Sequence, residues 1–330
     1  MTTKQRAQLY YELAKLLGAG MHVDRSVELL LEQSPPAAIA AYLKGLQRGL
    51  EERLSVADAI AKHNAAMVSP LEVSLLTAGE RGGRLESACE HLAQYFDLRH
   101  KSSSKAVGAL VYPMILLHLG LVIPELPKMV VGDEIGKVAL DLLLRLGVMW
   151  MVMGTLAFLG WRALQSAVHN TTVDRFLRSI PLVGATRKHW ALARFCQVFH
   201  TGLLAALKMT ESLKLAGDAS QSAILSEASA QAARKIEQGS TLAGSLQSTE
   251  ALSKSFYNAV DTAEQTGTLD KEMERWGRVE SEMAARAQDR VAEWLPRLFY
   301  VIVVIYIAIR VIGMVSGYYS DVYKMLDEVQ

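Results

Sequence analysis

The chain has 330 residues, room for two or three domains, and 51% of them are apolar. A formal net charge of +1 gives no electrostatic reason to expect nucleic acid as a partner. Its two cysteines, Cys89 and Cys196, form no CxxC pair and lie near no spaced histidines, which points away from a disulfide framework or a structural metal and fits a reducing compartment.

The opening stretch, MTTKQRAQLYYELAKLL, sets Leu9, Leu13, Leu16 and Leu17 on one helical face with polar residues opposite, as a helix packed on its own domain requires. It lacks the apolar core and cleavage site of a signal peptide. Residues 1–104 keep helical periodicity with Gly and Pro punctuation and no sustained strand alternation, and are read as a first cytoplasmic helical repeat.

Within it, LLTAGERGGRL (75–85) reads as a corner between two helices. Val73, Leu76 and Thr77 end one helix, Gly82 or Gly83 takes the left-handed conformation that closes it, and Leu85 starts the next. A stretch with no formal charge, AVGALVYPMILLHLGLVIP (106–124), is long enough to cross a hydrocarbon core, so a first transmembrane helix is placed at 105–130. A short external loop (131–141) leads to a second span at 142–164, whose only formal charges are Arg145 and Arg162. Residues 170–290 return to helical periodicity as a second cytoplasmic repeat; a third span at 294–319 holds Arg310, and 320–330 form an external tail.

Basic residues flank the spans on the side of the two large polar segments: Arg99, Lys101 and Lys105 before the first, Arg175, Arg178, Arg187 and Lys188 after the second, Arg286, Arg290 and Arg297 before the third. The excess of positive charge puts those segments and the N-terminus in the cytoplasm and the C-terminus outside.

The two polar segments align. At an offset of 186, LLGAGMHVDRSVEL (16–29) falls on GLLAALKMTESLKL (202–215), and RLSVADAI (53–60) on GSTLAGSL (239–246). At 184 the corner recurs as VDTAEQTGTLD (260–270), with Glu80 on Glu264, Gly83 on Gly267 and Leu85 on Leu269. This is the mark of a duplicated domain. A turn needs no carboxylate at Glu80 or Glu264, so each is either a solvated side chain, a tie between the turn and a neighbouring helix, or a ligand for a cation or a partner protein.

No phosphate loop, dinucleotide fingerprint, H-E-x-x-H or G-x-S-x-G is present, and the eight histidines are scattered without ligand spacing. No catalytic residue, metal or cofactor is expected. Asp141 and Arg145 sit i, i+4 at one end of the second span, a spacing suited to a local ion pair, and Arg310 lies deeper in the third. These intramembrane charges read as helix–helix glue or snorkelling residues.

The motif AGERGGRLESACEHLAQYFD (78–97), then basic residues and LVYPMILL (110–117), with the degenerate second copy AEQTGTLDKEMERWGRVES (263–281), resembles the inner-membrane platform proteins of type II secretion and type IV pili, the GspF/PilC family. In the second copy Gly79 becomes Ala263, and Arg81-Gly82 becomes Gln265-Thr266. The chain starts almost at the first repeat and in this looks like the shorter type IVb-pilus members.

The resemblance implies an all-α protein with two duplicated cytoplasmic antiparallel bundles of about six helices each and three transmembrane helices, in the bacterial inner membrane. It further implies a non-enzymatic platform that couples a hexameric assembly ATPase to insertion of pilin or pseudopilin into a filament, in a homo-oligomer with other inner-membrane assembly subunits. Gly79, Glu80, Gly82, Gly83, Leu85, Glu264, Gly267 and Leu269 are then structural or interaction residues. The competing reading is a component of a membrane transporter or channel; such proteins also carry duplicated halves, but their binding residues lie at the membrane midplane.

Overall fold

The computed structural model describes residues 1–125, 135–181, 183–249 and 251–327. Residues 131–134 of the expected loop at 131–141 and the last residues of the tail therefore lie outside the described residues, as does the side chain of Arg310, while 135–141 are helical and belong to the helix Ile135–Ser166. The described residues form α-helices joined by turns, with one 3-10 turn at Ile123–Glu125 and no strand.

In chain order the helices are α1 (Thr3–Gly18), α2 (Val23–Glu32), α3 (Ala37–Glu51), α4 (Val56–His63), α5 (Pro70–Arg81), α6 (Leu85–Val122), α7 (Ile135–Ser166), α8 (Thr171–Ser179), α9 (Val183–Leu204), α10 (Met209–Ala219), α11 (Ala223–Glu237), α12 (Leu242–Gln247), α13 (Lys254–Thr266) and α14 (Leu269–Asp327). Local chemistry sets their ends. Thr2 and Gln5 at α1, and Ser69 and Glu72 at α5, form reciprocal capping boxes, and Pro70 sits in the first turn of α5, where its missing N–H costs nothing. Ser55 caps α4, Thr241 caps α12 and Ser253 caps α13, each accepting from the third backbone N–H of its helix.

The sequence offsets reappear in the helix boundaries. Moved by 186, α3 (37–51) lands on 223–237, the bounds of α11, and α2 starts where α10 starts. Moved by 184, α5 starts on Lys254 and α6 on Leu269, the first residues of α13 and α14. The second segment has one helix more than the first, α8, directly after α7.

The chain divides into two compact units. One, the head, comprises 1–102 and 163–288, so both polar segments fold into it together. Its core is continuous: Leu9, Tyr10, Leu43, Ile60 and Leu75 of the first segment and Phe195, Phe199, Leu213, Phe256 and Met273 of the second belong to one cluster of buried side chains. Helix α5 packs against both α9 and α10, which joins the segments.

The other unit comprises 103–162 and 289–330. Among the described residues three helices are long and apolar enough to cross a membrane, over Leu85–Val122, Gly136–Ser166 and Leu269–Gly313. Large apolar side chains such as Leu156, Phe158 and Ile309 stand open on this unit, an arrangement suited to a hydrocarbon surround. Gly120 lets two of its helices approach: a Cβ there would come within 3.0 Å of Ile307.

Candidate functional site

The two glycine corners close their helices by the same hydrogen bonds. At the first, Gly83 has φ +64°; its N–H donates to Glu80 O at 3.1 Å, and that of Arg84 to Gly79 O at 2.7 Å. At the second, Gly267 has φ +67°, with Gly267 N–H to Glu264 O at 3.4 Å and Thr268 N–H to Ala263 O at 2.9 Å. Both are Schellman turns, and both need a residue that tolerates positive φ. A β-branched residue at φ +64° is strained, so Gly83→Val is expected to cost about 1–2 kcal/mol. A fall in the thermal midpoint of the detergent-solubilised chain measures it; an unchanged midpoint would contradict this role.

The glutamates have a definite target. Glu80 accepts from the N–H of Val56 at 2.7 Å and of Ala57 at 3.2 Å, the first two residues of α4. Glu264 accepts from the N–H of Leu242 at 2.8 Å and of Ala243 at 3.0 Å, the first two residues of α12. With Ser55 and Thr241 taking the third N–H, the opening amides of both short helices are paired, and each carboxylate lies where the helix dipole favours negative charge. Of the alternatives open for these residues, the tie from turn to neighbouring helix is the geometry seen.

The corners differ where they face different surroundings. A Cβ on Gly82 would stand 2.4 Å from Ala205 Cβ, in the turn between α9 and α10, so glycine permits close approach of the two segments there. Arg81 adds an ion pair to Glu211 across the same seam. The counterparts Gln265 and Thr266 are exposed, and Gln265 bonds within its own helix to Asp261 at 3.0 Å. That accounts for the lower glycine content of the second corner. Leu85 and Leu269 pack onto the core as the first residues of α6 and α14. Gly79 is held by α6: a Cβ there would lie 2.5 Å from Ala88 Cβ.

Beyond Gly82 the seam is aromatic and polar. Tyr95 meets Trp190 edge-on at 5.2 Å and accepts from Arg194 Nη1 at 3.2 Å, while the buried Arg194 also donates through Nε to Ser220 O at 3.0 Å, at the C-terminal end of α10. His91 stacks on His200 at 5.8 Å between ring centroids, in a cleft of about 510 Å³ lined also by Glu90, Glu274, Arg278 and Glu282. His200 Nδ1 donates to Asp270 O at 2.8 Å.

Burial first, and then the neighbouring His200, hold the pKa of His91 below its ordinary value. A depressed histidine favours the neutral folded form, so its contribution to stability is complete above about pH 6.5 and declines as pH falls below that value. His91→Gln is expected to flatten the fall in thermal midpoint between pH 7.5 and 5.5; an identical pH profile in wild type and variant would contradict it.

Two buried polar clusters were not singled out by sequence reasoning. Glu72, fully buried on α5, accepts from Arg6, from Tyr10 OH at 2.8 Å and from Ser69 N–H at 2.7 Å, and Tyr10 bonds Tyr42 at 2.9 Å, which ties α1, α3 and α5 together. Burial raises the pKa of both tyrosines, chiefly by desolvation. Asp174, buried on α8, accepts from Arg187 Nε at 2.7 Å and Ile224 N–H at 3.3 Å, and from Ser222 Oγ. The box Ser69-x-x-Glu72 is a legible signal for the first; the second joins residues up to 50 positions apart and has none.

Cys89 and Cys196 are buried; desolvation pushes the Cys89 thiol up to about 12 and the Cys196 thiol well above its usual value, unfavourable to a thiolate. In the second unit Arg145 pairs with Asp141, the expected i, i+4 partner, and also with Glu125 at 2.8 Å. No group of three His, Cys, Asp or Glu among the described residues is placed to hold a metal ion.

The family model described as type II secretion system (T2SS), protein F, matches residues 9–125 and 195–319, most of the chain. The chain belongs to the T2SS protein F family. Type II secretion system protein F of Pseudomonas aeruginosa is 27% identical over 308 residues, covering 87% of this chain and 75% of the relative. Type IV pilus assembly protein PilC of Thermus thermophilus is 22% identical over 334 residues, covering 96% and 81%. Type 4 fimbrial assembly protein PilC of Pseudomonas putida is 24% identical over 333 residues, covering 95% and 82%. Within this member of the family the matched stretches contain both corners, both capping glutamates and the seam residues Tyr95 and Ala205.

Proposed function

We propose that the chain is the non-enzymatic inner-membrane platform of a type IV pilus or type II secretion machine, coupling a cytoplasmic hexameric assembly ATPase to insertion of pilin or pseudopilin into the filament. Its relatives' names, protein F of type II secretion and PilC of type IV pili, support the setting. The basic flanks support a cytoplasmic head with the C-terminus periplasmic. The coincident helix boundaries and the twin capped corners support descent of the two segments from one duplicated domain.

The observation that carries the reading is helical continuity. Helices α6 and α14 start from corner residues packed on the core, Leu85 and Leu269, and run 38 and 59 residues without a break in the helix, far enough to include stretches able to cross a membrane. A packed core moves as a unit, so force applied to it has stiff elements along which to travel. In this reading other inner-membrane assembly subunits and further copies of the chain complete the platform around the pilin helix.

Deleting the gene tests this. Filaments or secreted substrate should vanish while processed pilin or pseudopilin still accumulates in the inner membrane, and the wild-type gene should restore them. Unchanged assembly, or loss of pilin processing itself, would contradict a platform role.

A further inference from the structure

Helix α8 turns an unusual face outward. Asp174 and Leu177 are buried, and Thr172, Arg175, Phe176 and Ser179 form the exposed stripe opposite, with the Phe176 side chain 66% exposed. Val183 and Lys188, shortly beyond it in the same unit, are exposed too. An outward phenylalanine beside an arginine pairs an apolar anchor with a cation, two groups that a membrane interface accepts side by side.

Two further observations identify what covers it. Only four residues, Ala167 to Asn170, separate the last residue of the candidate spanning helix Gly136–Ser166 from the first of α8. A chain that short reaches at most about 18 Å, so α8 stays close to the end of the candidate spanning helix. Charge points the same way. Between Asp141 and Glu211 the single acidic residue is Asp174, against eight Lys and Arg, and Asp174 is buried and bonded to Arg187. The outward charge of this region is positive.

We propose that α8 is an interfacial helix, seated against the membrane with Phe176 at the boundary of headgroups and acyl chains and with Arg175 and Lys188 against anionic lipid headgroups. The contact would anchor the head to the bilayer independently of any assembly partner. It rests on α8 and its tether, not on the platform reading.

The full chain, reconstituted in nanodiscs, carries a nitroxide label at Ser179→Cys, or as control at the exposed Glu227→Cys on α11; Cys89 and Cys196 are buried. With one disc set containing phosphatidylglycerol and another only phosphatidylcholine, power saturation by oxygen and by a water-soluble nickel chelate reports depth. In the anionic discs the label at 179 should be shielded from nickel and open to oxygen, and the label at 227 should not. Each basic charge near an anionic surface is worth about a fivefold shift in the seated fraction, so R175Q and K188Q should each lift the helix by about that factor. F176S should reduce shielding in both lipids. Nickel access at 179 equal to that at 227 would overturn the proposal. So would shielding that is unchanged by lipid charge and by R175Q/K188Q, or that arises only when a protein partner is added.

Discussion

Glu72→Ala is expected to lower the stability of the head by about 3–5 kcal/mol, because it removes one partner of a buried ion pair and strands the other. Arg6 would lose its carboxylate while still packed over Phe96, and Tyr10 and the Ser69 amide would lose their acceptor. The second segment indicates how such a cluster can be replaced. The same sequence offsets put Leu192 at the place of Arg6, Cys196 at Tyr10, Ala228 at Tyr42 and Phe256 at Glu72, all four buried and all four of residue types that are commonly buried. One segment solves this part of its core with hydrogen-bonded polar groups, the other with apolar packing. The double variant Arg6→Leu, Glu72→Phe should therefore lose less than Glu72→Ala alone. Thermal unfolding of the detergent-solubilised chain, followed by circular dichroism, distinguishes the cases; a double variant less stable than the single would contradict this account of the cluster.

Glu80→Ala and Glu264→Ala should each cost about 2–4 kcal/mol, from two buried amides left without an acceptor in each case. The recipients make the loss large. Helix α4 has eight residues and α12 six, too short to persist without caps and tertiary support. Glu80→Gln and Glu264→Gln keep one acceptor oxygen and lose the charge at the helix N-terminus, so they should fall between wild type and alanine. Hydrogen exchange gives the local reading: amides of Val56 and Ala57 should lose protection in the first variant, those of Leu242 and Ala243 in the second. Retained protection at those amides would show that the carboxylates act elsewhere.

The parts of this molecule governed by neighbours in sequence are legible in the sequence itself. The charge-free run 106–124 declared a span, the pair Gly82-Gly83 and Gly267 declared helix ends, with Gly83 the one of the pair at positive φ, and the pairing of Asp141 with Arg145 followed from a spacing of four. What escaped depends on distant contacts. Glu80 reaches α4 across 24 positions, and the need for glycine at 82 arises from Ala205, on the other segment. The difference between Arg81-Gly82 and Gln265-Thr266, which in sequence looks like decay of a motif, marks close contact with the other segment at the first corner and open solvent at the second. The Glu125 partner of Arg145 and the cluster around Asp174 likewise join residues 13 to 50 positions apart, beyond the reach of helical periodicity.

The most direct test of the platform role is co-purification of the tagged full-length chain with its cognate hexameric assembly ATPase from detergent-solubilised membranes, with and without ATP. The account predicts that the full-length chain retains the ATPase. Failure of the intact chain to retain the ATPase in either nucleotide condition would contradict it.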